Sequence, residues 1–120
     1  MEYPALIGQV PHASAEAWGR RTALLFKGRR FTFGDLESDA LKISRRLQGF
    51  GLRPGERVAL FLDNCPEYLH AYFGIPRAGG VVVPLSTFLA PPELHGILRD
   101  SGAAFLVASG ATIARISPAL

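Results

Sequence analysis

Three short apolar runs, Arg57 to Leu62, Val81 to Leu85 and Ala104 to Ala108, are separated by segments long enough to form a helix. This spacing constrains the fold more than any other feature of the chain. Each run has strand length, and the first is nearly unbroken in apolar residues, the pattern of a strand covered on both faces of a parallel sheet. Between the first two runs, Tyr68, Leu69, Tyr72, Phe73 and Ile75 occupy most of a helix circumference, with Asn64 and Glu67 framing the start and Pro76 expected to kink or end it. Pro91 suits the first turn of a second helix reaching Leu98. Helical connections between buried strands imply right-handed crossovers. The expected fold is therefore α/β: a doubly wound, mostly parallel sheet of Rossmann-like βαβαβ type.

Upstream, Thr22 to Phe26 and Arg30 to Phe33 flank Lys27-Gly28-Arg29, where glycine supplies the positive φ of a tight turn. A small N-terminal antiparallel hairpin follows as a peripheral element. A helix is expected from Phe33 to about Phe50, because Leu36, Ala40, Ile43, Leu47 and Phe50 recur at spacings of four and three and form one buried stripe. Thr32 and Asp35 have capping-box spacing, acids lead and bases trail along the helix, and Gly49 and Gly51 stop it. Looser periodicity from Ala13 to Arg20 suggests a short first helix, and Ala111 to Leu120 opens a helix-like stretch.

With 120 residues, 48% of them hydrophobic and 19% charged, residues 1–120 read as a single α/β domain and not as a disordered segment. The net charge of +3 is spread out, with basic residues clustered only as pairs, so no nucleic-acid partner is expected. Cys65 is the sole cysteine, which excludes an intramolecular disulfide and a zinc site of paired thiolates. His12, His70 and His95 lack ligand spacing, so no metal site is expected. Met1-Glu2-Tyr3-Pro4 does not open a signal peptide, and no apolar stretch reaches the length of a membrane span. The expected setting is a reducing one, the cytoplasm.

Three constellations have both a chemical and a structural reading. Gly49-Phe50-Gly51-Leu52-Arg53-Pro54-Gly55 looks like a phosphate loop, but it follows a helix and precedes a strand, the reverse of the order that aims amides at a phosphate; a linker is the better reading. Cys65 and His70 could pair as nucleophile and base, although residues five apart diverge around a helix and a lone cysteine here is more simply a packing residue. Asn64, Ser86 with Thr87, and Ser109 follow the three strands, at the carboxyl edge where doubly wound sheets bind ligands. Caps and turns also need such residues, and that reading is favoured.

Three ordered motifs carry a family resemblance: Arg53-Pro54-Gly55-Glu56-Arg57-Val58-Ala59-Leu60, then Asn64-Cys65-Pro66-Glu67-Tyr68, then Ala78-Gly79-Gly80-Val81-Val82-Val83-Pro84-Leu85. They resemble the opening of the AMP-binding, adenylate-forming acyl-CoA synthetases. Arg30-Phe31-Thr32-Phe33-Gly34-Asp35-Leu36 upstream, and Glu93-Leu94 with Asp100-Ser101-Gly102-Ala103 downstream, extend the resemblance to roughly residues 13 to 110. Pro76, and Ser86-Thr87 in place of asparagine-proline, depart from the pattern.

The resemblance implies an N-terminal segment of an enzyme that joins a carboxylic acid to the α-phosphate of ATP and then to coenzyme A. Magnesium and ATP are implied for the full-length family. The family's glycine-rich phosphate loop, its acidic ribose contact and its C-terminal lysine have no counterpart in these residues. No residue here is therefore assigned a catalytic, cofactor-binding or metal-ligating role, and the chain alone is expected to be inactive. The expected partner is the remainder of the enzyme or a second copy, docking on an apolar patch drawn from Trp18, Phe73, Phe88 and Leu89. The rival reading is a stand-alone, non-catalytic α/β binding or oligomerisation module.

Overall fold

The computed structural model describes residues 6–117; Met1 to Pro4 and the last three residues of the C-terminal helix-like stretch fall outside that range. A 3-10 turn, Ile7–Gln9, leads into helix α1, Val10–Trp18. Strands β1, Thr22–Phe26, and β2, Arg29–Thr32, form the hairpin, a two-stranded antiparallel sheet of its own. Its turn places both Lys27 (φ 48°) and Gly28 (φ 77°) at positive φ, the geometry that matches strand twist in a two-residue turn.

Helix α2, Phe33–Gly49, begins with the expected capping box: the Asp35 N–H donates to Thr32 Oγ1 at 3.0 Å, and the Thr32 N–H donates to Asp35 Oδ2 at 2.8 Å. These bonds hold the Asp35 carboxyl below its usual pKa. Leu36, Ala40 and Leu47 of the apolar stripe are buried. Ile43 is only partly buried, and Ser44 is buried beside it. Phe50 does not belong to the buried stripe; it caps the helix and is 75% exposed. Its ring stands at the open rim of a groove between the end of α2 and Phe105 to Ala108, where no described residue covers it.

Strand β3, Arg57–Phe61, helix α3, Pro66–Arg77, strand β4, Val81–Pro84, helix α4, Pro91–Ser101, strand β5, Phe105–Ala108, and helix α5, Gly110–Ile116, complete the order. Pro76 is accommodated in the last turn of α3, which ends one residue later. The three strands are parallel in the order β4-β3-β5, with Val58 opposite both Val82 and Phe105. β3 is central, and its side chains alternate between two cores. Val58 and Leu60 pack with Leu47, Ala71, Ile75 and Ala78 of the α2/α3 layer. Ala59 and Phe61 pack with Leu94 and Ile116 of the α4/α5 layer. Helices on both faces make the sheet doubly wound, as the sequence implied.

The run at Ala104 to Ala108 is not a fully buried strand. All four residues of β5 are half-buried, because β3 is its only neighbour within the sheet among the described residues. α2 and α3 approach closely at Gly74, where a Cβ would lie 2.6 Å from the Ala40 carbonyl oxygen. Beside this contact Arg77 Nη1 meets Glu37 Oε1 at 2.7 Å. No helix among the described residues is long and apolar enough to cross a membrane.

Candidate functional site

Parallel strands end together, so the loops after β3 and β4 converge on one edge of the sheet. There Leu62, Asp63 and Asn64 face Leu85, Ser86, Thr87 and Phe88 across a crevice of about 370 Å³, with Tyr68 of α3 on one wall. Three of the residues singled out for this edge, Asn64, Ser86 and Thr87, are thus brought together. Ser109 is not among them. It caps α5, with Ser109 Oγ accepting the Thr112 N–H at 3.1 Å and the Ser109 N–H donating to Thr112 Oγ1 at 2.9 Å. Ser86 also shapes its loop, its hydroxyl accepting the Phe88 N–H at 3.2 Å. Asn64 precedes the cap of α3; Cys65 occupies that position and makes no side-chain capping bond.

The crevice offers an amide, hydroxyls and a phenol for hydrogen bonding, with Phe88 at its rim, 97% exposed. Its one charged lining group, Asp63, binds Arg115 of α5 through both oxygens, at 3.0 and 3.2 Å from Nη2. The guanidinium also lies 5.9 Å from the Phe61 ring centroid. This pair spans the ends of β3 and the helix after β5, where the sheet reverses its winding. Sequence reasoning missed it because 52 residues separate the partners and neither belongs to a motif.

The remaining candidates separate. The Gly49 to Gly55 segment is a linker whose amides are engaged locally: the Leu52 N–H donates to the Leu47 carbonyl and the Gly55 N–H to the Gly79 carbonyl, so they form no phosphate cradle. Cys65 lines a small apolar cleft with Leu24, Phe26, Tyr68 and Leu69, and burial raises its thiol pKa, which works against a thiolate. His70 lines a different surface, with Asp39, Lys42 and Ile43 of α2. Its Nε2 lies 3.4 Å from Asp39 Oδ2 but is buried without a hydrogen-bond partner, and the two form an ion pair only when the ring is protonated. Burial lowers the His70 pKa, with Asp39 and Glu67 opposing. Cys65 and His70 therefore form no nucleophile-base pair. His12 pairs with Glu16 one turn along α1 at 3.1 Å, and His95 is exposed on α4. Among the described residues no group of three His, Cys, Asp or Glu side chains gathers to hold a metal.

The sequence of the AMP-binding enzyme family matches residues 12–119. This chain belongs to that family. It is 36% identical over 100 residues to the crotonobetaine/carnitine–CoA ligase of Salmonella paratyphi A, covering 79% of this chain and 19% of that one. To the long-chain-fatty-acid–CoA ligase of Bacillus subtilis it is 39% identical over 94 residues, covering 78% and 17%. Among solved structures, an anthranilate CoA ligase in complex with anthranoyl-AMP superposes with a TM-score of 0.89 at 28% identity, over 98% of this chain and 23% of the ligase. A fatty acyl CoA synthetase of Mycobacterium tuberculosis does so with a TM-score of 0.89 at 29% identity, over 94% and 23%. The chain thus spans less than a fifth of the length of these curated relatives and about a quarter of the solved chains.

Proposed function

We propose that these residues are the N-terminal portion of an ATP-dependent carboxylic acid:CoA ligase, working in the cytoplasm and folding as a single α/β unit. The observation that carries this reading is the match of nearly the whole chain to a family whose relatives here are several times longer. Such a ligase forms an acyl adenylate from ATP and a carboxylic acid, with magnesium at the phosphates, and passes the acyl group to coenzyme A.

The carboxyl-edge crevice does not fit a nucleoside triphosphate. It is lined by no cation, and its one carboxylate already holds Arg115. A triphosphate needs fixed positive charge or converging amides to replace its hydration. No catalytic step is therefore routed through this crevice. The role of the segment is architectural: a rigid doubly wound layer on which the rest of the ligase is built.

The isolated chain should show background ATP–pyrophosphate exchange with any carboxylic acid offered. Acid-dependent exchange above a heat-killed control would contradict this reading. A second reading, a non-catalytic module that associates with its own copies, is favoured by one observation, the bare ring of Phe88. The other residues considered for that patch are engaged: Trp18 packs against Phe33, Phe73 against Tyr72, and Leu89 against the α4/α5 core. Light scattering behind size exclusion distinguishes a Phe88-dependent dimer from a monomer, with Phe88→Ser as the control.

A further inference from the structure

His70 of α3 is about nine-tenths buried at a place where three elements meet. Phe31 of β2 packs edge-on against its ring with centroids 6.1 Å apart, and Asp39 of α2 lies 3.4 Å from its Nε2. That nitrogen is shut away from solvent and takes part in no hydrogen bond. A protonated imidazole donates from both nitrogens, so the cation here would have a charge and a buried N–H to satisfy at once. The charged groups around it divide. Asp39 of α2 and Glu67 of α3 favour the cation, whereas Arg29 of the hairpin and Lys42 of α2 oppose it, and Arg45 and Arg46 line the same crevice further along α2. Acids do not outnumber bases, so the loss of hydration decides and the packed ring resists the proton. The His70 pKa is accordingly held down, with burial as the largest cause.

A proton that does arrive is accommodated by whichever element yields most easily. α2 and α3 are locked together: they touch at Gly74, where a Cβ would run into the Ala40 carbonyl oxygen and the Ile43 side chain, and they share the core that covers the sheet. The hairpin is held differently. It pairs with no other strand among the described residues, and Leu25 turns outward. Its grip comes from Phe31 and from Leu24 and Phe26, which lie over Cys65, Tyr68 and Leu69 at the start of α3. At its base the Phe33 N–H donates to the Arg21 carbonyl at 3.1 Å and the Gly34 N–H to the Gly19 carbonyl at 3.0 Å, a pair of bonds about which it can hinge.

We propose that the hairpin is an acid-released flap with His70 as its trigger: when the imidazole takes up a proton, β1 and β2 lift from α2 and α3 about their base, and the charged ring reaches water. Arg29 rides on the moving element, its guanidinium 4.9 Å from the Phe31 centroid, so lifting also separates two like charges. Release uncovers the apolar cleft at Cys65, Tyr68 and Leu69. A two-stranded hairpin without a surface to pack on is marginal in water, so its own ladder frays once it is free.

The test is residue-resolved hydrogen exchange of the chain at about pH 7.5 and about pH 5, corrected for the intrinsic pH dependence of amide exchange. The ladder amides of β1 and β2 should lose protection at least about threefold on acidification. Low urea separates release from global unfolding: it should speed exchange in β3, which opens only globally, and barely change it in the hairpin, because release exposes little surface. His70→Gln should abolish the acid-induced loss in the hairpin. Asp39→Asn removes the acid beside the ring, should enlarge the loss, and decides the matter alone if His70→Gln does not fold. Hairpin protection that does not change with pH overturns the proposal, as does a urea slope in the hairpin equal to that of β3. So does an acid-induced loss that survives His70→Gln or is unaltered by Asp39→Asn.

Discussion

Strands β3 and β5 lie side by side in one parallel sheet, have similar length and apolar content, and end at the same edge, yet their surroundings differ. β3 has a strand on each side and a helical layer on each face; Val58, Ala59, Leu60 and Phe61 are all at most 1% exposed. Among the described residues β5 has one strand neighbour, and every one of its own residues keeps some contact with solvent. Burial in this fold is set by position in the strand order more than by local hydrophobicity. The central strand is the anchor of the segment, and the outer strand is a surface on which more structure can be built.

Substitution is the strongest way to break that comparison. Phe61→Ala removes a fully buried ring from the α4/α5 core and should cost about 3 to 5 kcal/mol through transfer and cavity terms. Val107→Ala on β5 removes less volume from a half-buried site and should cost about 1 kcal/mol or less. Urea melts measure both. Equal losses would mean that β5 is as enclosed as β3.

A smaller effect sharpens the contrast from the covered side. His70 sits between α3, α2 and the hairpin, packed edge-on against Phe31, with Asp39 and Glu67 raising its pKa and Arg29 and Lys42 lowering it. Burial dominates and holds the folded-state value below the usual 6.5. The unfolded chain therefore binds the proton first as pH falls. The contribution of neutral His70 is fully present above about pH 6.5 and is lost as pH drops through the window below it, toward the folded-state value. His70→Gln should flatten the pH dependence of the melting midpoint in that window. Parallel loss in both proteins would show that His70 is not the titrating group.

The chain was legible where local chemistry decides structure. The Thr32 and Asp35 capping box, the glycine turn after Lys27 and the three strand-length runs each have a mechanism confined to a few residues, and each produced its element. Phe50 was misplaced because helical periodicity gives a stripe but not the point where the helix leaves its neighbour. Residues 104 to 108 were read as a buried strand because an apolar run does not reveal whether its strand has one neighbour or two. At the crevice, Asn64, Ser86 and Thr87 were grouped through the rule that parallel strands end together, and Ser109, grouped with them, caps a helix in line with the favoured reading of such residues as caps and turns. The Asp63–Arg115 pair depends on two distant segments meeting, and no spacing along the chain encodes it.

The most direct test of the contrast between the two strands is residue-resolved hydrogen exchange on the isolated chain at a concentration where it is monomeric. The amides of β3 should exchange slowest in the molecule, through global opening, and the outward amides of β5 should exchange at least about tenfold faster, through local exposure of a free edge. Exchange of β5 as slow as that of β3 in the monomer would contradict the account, because it would mean that the outer strand already has a second neighbour.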